Sequence, residues 1–193
     1  FLVTCLISIN KKCLLLYGSL EYASAKNITG YGYLSHRTQT WLSFFTEQIQ
    51  LDTPFLEQVM DLSIIKQIAE LLIKDLPSFP FEPKLLHGDL GIYNILVNNS
   101  HKLVGIIDPY PIIGDSLYDL LFFVASSENL IASFHLEALE SIGKAPRKKI
   151  VLLLLPILLN RISRQLKNKK DATNFLDLFY RLLHYYTTTF FLP

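Results

Sequence analysis

Cysteine, methionine and tryptophan are scarce in this chain of 193 residues, which holds two cysteines, one methionine and one tryptophan. Cys5 and Cys13 do not have the spacing of a zinc site, and two cysteines cannot build the disulfide framework of a small secreted domain. This scarcity excludes a cysteine-rich metal site and favours a reducing compartment, so we expect a cytoplasmic protein.

Charge is also sparse, because Asp, Glu, Lys and Arg make up 18% of the chain and the formal net charge is +1. So small a net charge gives no argument for a nucleic acid or an anionic membrane as partner. Two apolar runs occur, FLVTCLISI (1–9) and IVLLLLPILL (150–159), and each is about half as long as a membrane-spanning helix. We therefore expect neither nucleic acid nor membrane as a partner, and both runs are predicted to be buried elements.

The best-known nucleotide-binding motifs are absent from the sequence. No Walker A loop occurs, and Gly30 and Gly32 lack the third glycine of a Gly-x-Gly-x-x-Gly motif. Apolar spacing predicts helices over 41–50, 55–76, 117–126, 128–142, 147–168 and 172–190. Strands are predicted only at 84–86, 95–97 and 103–107, with loops at 30–37 and 110–116. The pattern predicts a mainly α fold with a small β-hairpin.

The most informative pattern is His-Gly-Asp-Leu-Gly-Ile-Tyr-Asn at 87–94, followed by Ile-Ile-Asp-Pro at 106–109. Asp89 follows one predicted strand, Asn94 comes five residues later, and Asp108 ends another predicted strand. Protein kinases use such a pattern for a catalytic Asp, a metal-binding Asn and the metal-binding Asp of Asp-Phe-Gly. In this chain a glycine replaces the arginine of that loop, and a proline replaces the phenylalanine.

These three residues have candidate roles in phosphoryl transfer, which needs an oriented hydroxyl and neutralised phosphate charge. Asp89 is the candidate catalytic base for the acceptor hydroxyl. Asn94 and Asp108 offer the oxygen ligands that Mg²⁺ prefers, so they are the candidate metal pair. The alternatives are structural: Asp89 capping a loop, Asn94 stabilising a turn, and Asp108 capping a strand end.

Three stretches together resemble the aminoglycoside phosphotransferase family, within the wider group of choline, fructosamine and homoserine kinases. They are HGDLGIYNILV (87–97), VGIIDP (104–109) and GDSLYDLLF (114–122). The resemblance implies a protein-kinase-like C-lobe over residues 27–193, with 1–26 an uncertain N-terminal segment. It also implies a kinase-like small-molecule O-phosphotransferase that moves the γ-phosphate of ATP or GTP to a hydroxyl with the help of Mg²⁺.

Four further residues are expected to support this site. By resemblance, His87 lies buried and hydrogen-bonded under the loop, where it supports the metal-binding Asp. Gly88 allows a backbone conformation that residues with side chains resist. Asp115 is a candidate N-cap for the helix predicted from residue 117, and by resemblance it and Asp119 brace the loop from behind. No substrate-binding residue is predicted.

The family places a nucleotide-binding N-lobe before this region, and only about twenty residues precede it here. We therefore expect the N-lobe to be largely absent from this chain, to be encoded upstream, and the chain to be a fragment. Residues 140–193 hold ten bases and three acids. That balance favours a neutral or anionic hydroxyl compound over a polycationic aminoglycoside as the acceptor.

Two other functions compete with this interpretation. A truncated pseudoenzyme would bind a partner through apolar surface, and an N-lobe missing from the chain favours it. A metal-dependent hydrolase built on His87, Asp89 and Asp108 would act without nucleotide. The intact set of Asp89, Asn94 and Asp108 favours the phosphotransferase.

Overall fold

A computed structural model describes residues 22–100, 103–128, 130 and 135–190 of the chain. Within these residues lie six α-helices: α1 Trp41–Leu56, α2 Leu62–Asp75, α3 Leu117–Val124, α4 Leu136–Gly143, α5 Arg147–Lys167 and α6 Thr173–Phe190. Short strands accompany them: β1 Tyr31–Tyr33, β2 His36–Thr38, β3 Lys84–Leu86, β4 Ile95–Val97, β5 Leu103–Ile106 and β6 Ile112–Gly114. The predicted mainly α fold is confirmed, and most of the N-terminal segment 1–26 lies outside the described residues.

Helix α5 is the centre of the core, because its apolar run 150–159 is buried along its whole length. Helices α1, α2, α3, α4 and α6 all pack against it. Burying one Leu or Ile side chain contributes about 1.5–3 kcal/mol, so a run of this length anchors the fold. Although this run is strongly apolar, no helix in the described ranges is both long and apolar enough to cross a membrane.

The strands form a four-stranded antiparallel sheet in the order β2-β1-β6-β3 and a separate β4–β5 hairpin. The predicted hairpin and the predicted strand β3 are both present. The predicted loops at 30–37 and 110–116 are wrong in part, because they contain β1, β2 and β6. Strand β6 pairs with β1 and β3 across long sequence separations, and β1 pairs with the nearby β2. Strands of three residues are too short to show an alternation of apolar and polar residues.

The boundary between the first two helices also differs from the prediction. Helix α1 begins after Thr40, whose Oγ1 accepts the Ser43 N–H at 2.9 Å, and it continues through Pro54 to Leu56. Pro54 removes one backbone donor in the last turn, but Leu56 beyond it is fully buried and holds the turn in place. Helix α4 begins at Leu136, and part of the helix predicted at 128–142 falls outside the described residues.

Candidate functional site

The loop that follows β3 is held from behind by Asp119, a fully buried carboxylate in the first turn of α3. Its Oδ2 accepts the backbone N–H of His87 at 2.8 Å, and its Oδ1 accepts that of Gly88 at 2.9 Å. Burial raises the pKa of Asp119, and these two N–H donors only partly oppose that rise. The structure therefore places Asp119 behind the loop.

Gly88 allows this loop to press against the segment that follows β5. Its φ is +78°, a left-handed conformation that favours glycine. A Cβ at this position would lie 2.0 Å from the backbone oxygen of Tyr110. The Tyr110 N–H in turn donates to the His87 backbone oxygen at 2.9 Å. A side chain at position 88 would therefore force the two segments apart.

Ile107 connects the three parts of the site through its backbone. Its oxygen accepts a hydrogen bond from His87 Nε2 at 2.9 Å, and its N–H donates to the Asn94 backbone oxygen at 3.0 Å. The His87 ring is half-buried, not fully buried as expected, but it is hydrogen-bonded next to the candidate metal ligand. Asp108 follows with φ +53°, a left-handed conformation that Asp tolerates, and it is exposed.

Asn94 and Asp89 are in direct contact. Asn94 Nδ2 donates to the Asp89 backbone oxygen at 2.8 Å and approaches its Oδ2 at 3.4 Å. Because the amide nitrogen faces Asp89, the amide oxygen is the atom that remains to coordinate a metal. The sequence thus folds locally into a turn that both orients Asp89 and presents one oxygen ligand.

The available ligands fit Mg²⁺ better than a metal held by protein alone. Asn94 offers an amide oxygen and Asp108 a carboxylate, whereas Mg²⁺ usually takes one or two carboxylates and completes its shell with phosphates and water. In the part of the chain that the structure describes, no three His, Cys, Asp or Glu side chains gather to hold a metal. The pair therefore suits a cation that shares its shell with a phosphate.

Asp89 and Asp108 both line an open cleft of about 700 Å³. Tyr33 and Tyr110 form an aromatic wall of this cleft, with ring centroids 4.6 Å apart. Burial, and secondarily the neighbouring Tyr110, raises the pKa of Tyr33 to about 12, so its hydroxyl stays protonated at neutral pH. The cleft thus combines carboxylates with apolar ring faces, as small-molecule sites commonly do.

The sequence interpretation missed the contribution of α5 to this cleft. Arg164 Nη1 lies 3.2 Å from Asp89 Oδ1, and Lys167 lines the same cleft while its Nζ lies 3.1 Å from the buried Asp52. Half-exposed ion pairs contribute about 0–1 kcal/mol, so the Arg164 pair orients Asp89 more than it stabilises the fold. The spacing of Arg161, Arg164 and Lys167 at every third residue after the apolar run was the available signal.

Asp115 acts at the start of α3, directly before Ser116. Its Oδ1 accepts the Leu117 N–H at 3.0 Å, and its Oδ2 lies 2.6 Å from Lys149 Nζ. The N-cap residue of α3 is Ser116, so the prediction of Asp115 as N-cap is wrong by one residue. The Asp115 side chain still accepts the first N–H of the helix and joins α3 to α5. Its side-chain contacts are with α3 and α5, so Asp115 supports the loop at 87–94 through the placement of α3.

The family model for fructosamine kinase matches residues 26–139, which is more than half of the chain. Structures of a thermostable mutant of aminoglycoside phosphotransferase APH(4)-Ia share the fold. The apo form has 21% identity and a TM-score of 0.64, and the ternary complex with ADP and hygromycin B has 20% and 0.65. The chain is covered to 94% in both comparisons and spans 66% of those proteins.

No curated protein matches the chain by sequence. The structural matches are too distant in sequence to carry more than the fold, which is that of a kinase-like phosphotransferase with its mostly helical C-lobe. The match to the family model confirms the wider group that the three sequence stretches predicted, and within it assigns the chain to the fructosamine kinases rather than to the aminoglycoside phosphotransferases. The chain belongs to the fructosamine kinase family.

Proposed function

We propose that this chain carries the acceptor-binding and metal-binding part of a nucleotide-dependent small-molecule O-phosphotransferase. The observation that carries the proposal is the convergence of Asp89 and Asp108 on one cleft, with Asn94 bonded to Asp89. Family membership supports a kinase, and structural neighbours were crystallised with ADP or AMP-PNP together with hygromycin B. The proposal includes ATP or GTP as donor and a reducing, cytoplasmic location.

Asp89 is the proposed base. As the acceptor oxygen bonds to the γ-phosphorus, the bond from that phosphorus to the β–γ bridging oxygen breaks, and the acceptor proton passes to an Asp89 carboxylate oxygen. Asn94 and Arg164 hold that carboxylate in place before the reaction. Asn94 and Asp108 would hold Mg²⁺, which neutralises phosphate charge when bound.

The proposal is tested by measuring phosphate transfer with ³¹P NMR, using Mg-ATP, Mg-GTP and a panel of hydroxyl compounds. Asp89→Asn should lower the transfer rate on the order of 10²–10⁴-fold, because a positioned base contributes that much. Asp177→Asn is the matched control, since Asp177 is a carboxylate on α6 whose side chain is 65% exposed. A wild-type rate of transfer in Asp89→Asn would contradict the proposal.

A further inference from the structure

Arg161 lies beside the candidate site with most of its hydrogen-bonding capacity unused. Its Nε donates to the backbone oxygen of Ala125, at the end of α3, at 2.8 Å, and its guanidinium lies 4.6 Å from the ring centroid of Phe122. A guanidinium carries five N–H donors. Among the described residues, the structure pairs only the Nε donor, so both terminal nitrogens are left for another partner.

Arg161 is half-buried, and no carboxylate in the described part of the chain forms an ion pair with it. Burial, and after it the charge of Arg164, lowers the pKa of Arg161 to about 10, so the guanidinium is charged at neutral pH. Arg164 lies one turn further along the same face of α5 and forms an ion pair with Asp89. Of these two neighbouring guanidinium groups, only that of Arg164 has a carboxylate partner among the described residues.

The two arginines line a second cavity of about 540 Å³, and Arg164 lines both this cavity and the cleft of Asp89. The second cavity is therefore adjacent to the proposed reaction centre. Tyr93, from the loop between Asp89 and Asn94, lies on its wall. Ser126 fixes that loop, since its Oγ accepts the Ile92 N–H at 3.0 Å.

The acidic residues on the wall of this cavity are already engaged. Glu128 Oε2 accepts a hydrogen bond from Asn174 Nδ2 at 3.0 Å. Asp171 Oδ1 accepts the backbone N–H of Thr173 at 2.9 Å and its hydroxyl at 2.6 Å, which caps the start of α6. Among the described residues, neither carboxylate forms an ion pair with Arg161, and Lys170 lies on the same wall.

We infer that Arg161 and Arg164 bind an anionic group, a carboxylate or a phosphate ester, carried by the hydroxyl-bearing acceptor. The inference rests on the proposed function, because the acceptor hydroxyl must reach Asp89 while its anion lies against α5. The planar guanidinium fork matches both anions in a bidentate geometry. The same charge disfavours a polycation such as an aminoglycoside.

An anion at Arg164 also changes the state of Asp89. The anionic group of the acceptor and the Asp89 carboxylate compete for the Arg164 guanidinium, so the bound acceptor draws Arg164 away from Asp89. Asp89 then has the oxygen that faced Arg164 available for the acceptor hydroxyl. Binding of the correct acceptor and readiness of the base are thereby coupled through one side chain.

The inference is tested by calorimetric titration of the chain with glycerate and glycerol 3-phosphate, in low chloride and without nucleotide or metal. Glycerol and glucosamine serve as the neutral and cationic comparisons. Both anions should bind and neither comparison compound should. Arg161→Gln and Arg164→Gln should each weaken anion binding on the order of tenfold or more, because hydrogen bonds to charged groups are the strong ones.

Arg181→Gln is the matched control, because Arg181 is an exposed arginine on α6 that pairs with Asp177, and it should leave anion affinity unchanged. Arg161→Lys keeps the charge but loses the fork, so it should bind more weakly than wild type and more tightly than Arg161→Gln. Circular dichroism checks that each variant is folded, and the exposed position of Arg164 makes its variant the safer one.

Three results would overturn the inference. They are anion affinity unchanged in folded Arg161→Gln and Arg164→Gln, equal binding of glycerol, and metal-free ADP displacing glycerate from both arginines. The last result would assign the site to nucleotide phosphates. The titration uses neither nucleotide nor metal, so its outcome is independent of the transfer assay. If no anion bound but phosphate transfer still depended on Asp89, this inference would be wrong and the proposed function would stand.

Discussion

Asp119 and Asp89 lie on opposite sides of one loop and differ in nearly every physical property. Asp119 is 0% exposed and accepts two backbone N–H groups, whereas the Asp89 side chain is 33% exposed and faces the cleft. Both oxygens of the Asp119 carboxylate at the rear accept hydrogen bonds from the loop backbone. Among the described residues, the Asp89 carboxylate at the front is held by an amide and a half-exposed arginine, so it can exchange partners. Stability should therefore depend on Asp119, and activity on Asp89.

The largest expected effect on stability comes from Asp119→Ala. The substitution leaves the N–H groups of His87 and Gly88 buried without an acceptor, and each such group costs about 1–3 kcal/mol. The free energy of unfolding should fall by about 2–5 kcal/mol in urea denaturation. Asp89→Ala is the comparison and should cost less than about 1 kcal/mol. Equal losses in the two variants would remove the distinction between the two sides of the loop.

Gly88→Ala should be the next most destabilising change. The new Cβ would meet the Tyr110 oxygen at 2.0 Å, and an alanine resists a φ of +78°. We expect a loss of about 2–3 kcal/mol in the same denaturation experiment. Gly105→Ala is the control, since a Cβ there meets no atom within 4 Å. If Gly88→Ala were as stable as Gly105→Ala, the close approach of the two segments would be wrong.

The pH dependence of stability should have opposite signs for two buried carboxylates. Burial raises the pKa of Asp119. Its contribution to the free energy of unfolding, measured as the difference between wild type and Asp119→Asn, is therefore complete in acid and is lost as pH rises through the folded pKa. For Asp75, burial is outweighed by hydrogen bonds from Tyr186 and Lys148, which lower its pKa. Its contribution should instead be lost as pH falls below the unfolded value of 3.8.

These two trends are measured by urea denaturation between about pH 3 and pH 7, where one unit of pKa shift corresponds to about 1.4 kcal/mol. A contribution of Asp119 that grows with pH would show that its two N–H donors outweigh its burial. In that case the pKa of Asp119 would be lowered, as that of Asp75 is, and the contrast with Asp89 would be weaker.

Asp108→Asn should have the smallest effect on stability. Asn tolerates the left-handed conformation that Asp108 adopts, and the residue is exposed, so the free energy of unfolding should change by less than about 0.5 kcal/mol. Asp115→Asn is the contrasting variant, because it weakens a buried pair with Lys149 and should cost several times more. A large loss in Asp108→Asn would indicate a structural role for this residue.

Much of the front of the site was predictable because it is local in sequence. Asp89 and Asn94 are five residues apart on one turn, and Asp108 follows a strand that pairs with the next residues of that turn. The family resemblance then supplied Asp119, whose contact with the loop spans 31–32 residues. Local pattern alone would not have found it.

The contribution of α5 was not predictable in the same way. Arg161 and Arg164 read as charges after an apolar run. Only the packing of α5 against α1 and α3 places both on the second cavity and Arg164 on the cleft as well. The strands β1, β2 and β6 were missed for a related reason. Their pairing joins residues such as Gly32 and Ile113, and three residues are too few to show a period.

The most direct test of the proposed metal pair uses Mn²⁺ in place of Mg²⁺ and the amide spectrum of the ¹⁵N-labelled chain. Sub-stoichiometric Mn²⁺ broadens amides near its binding site even when binding is weak. We expect broadening centred on Asp89, Asn94 and Asp108 that disappears in Asp108→Asn while the fold persists. Broadening centred elsewhere, or unchanged in that variant, would contradict this expectation.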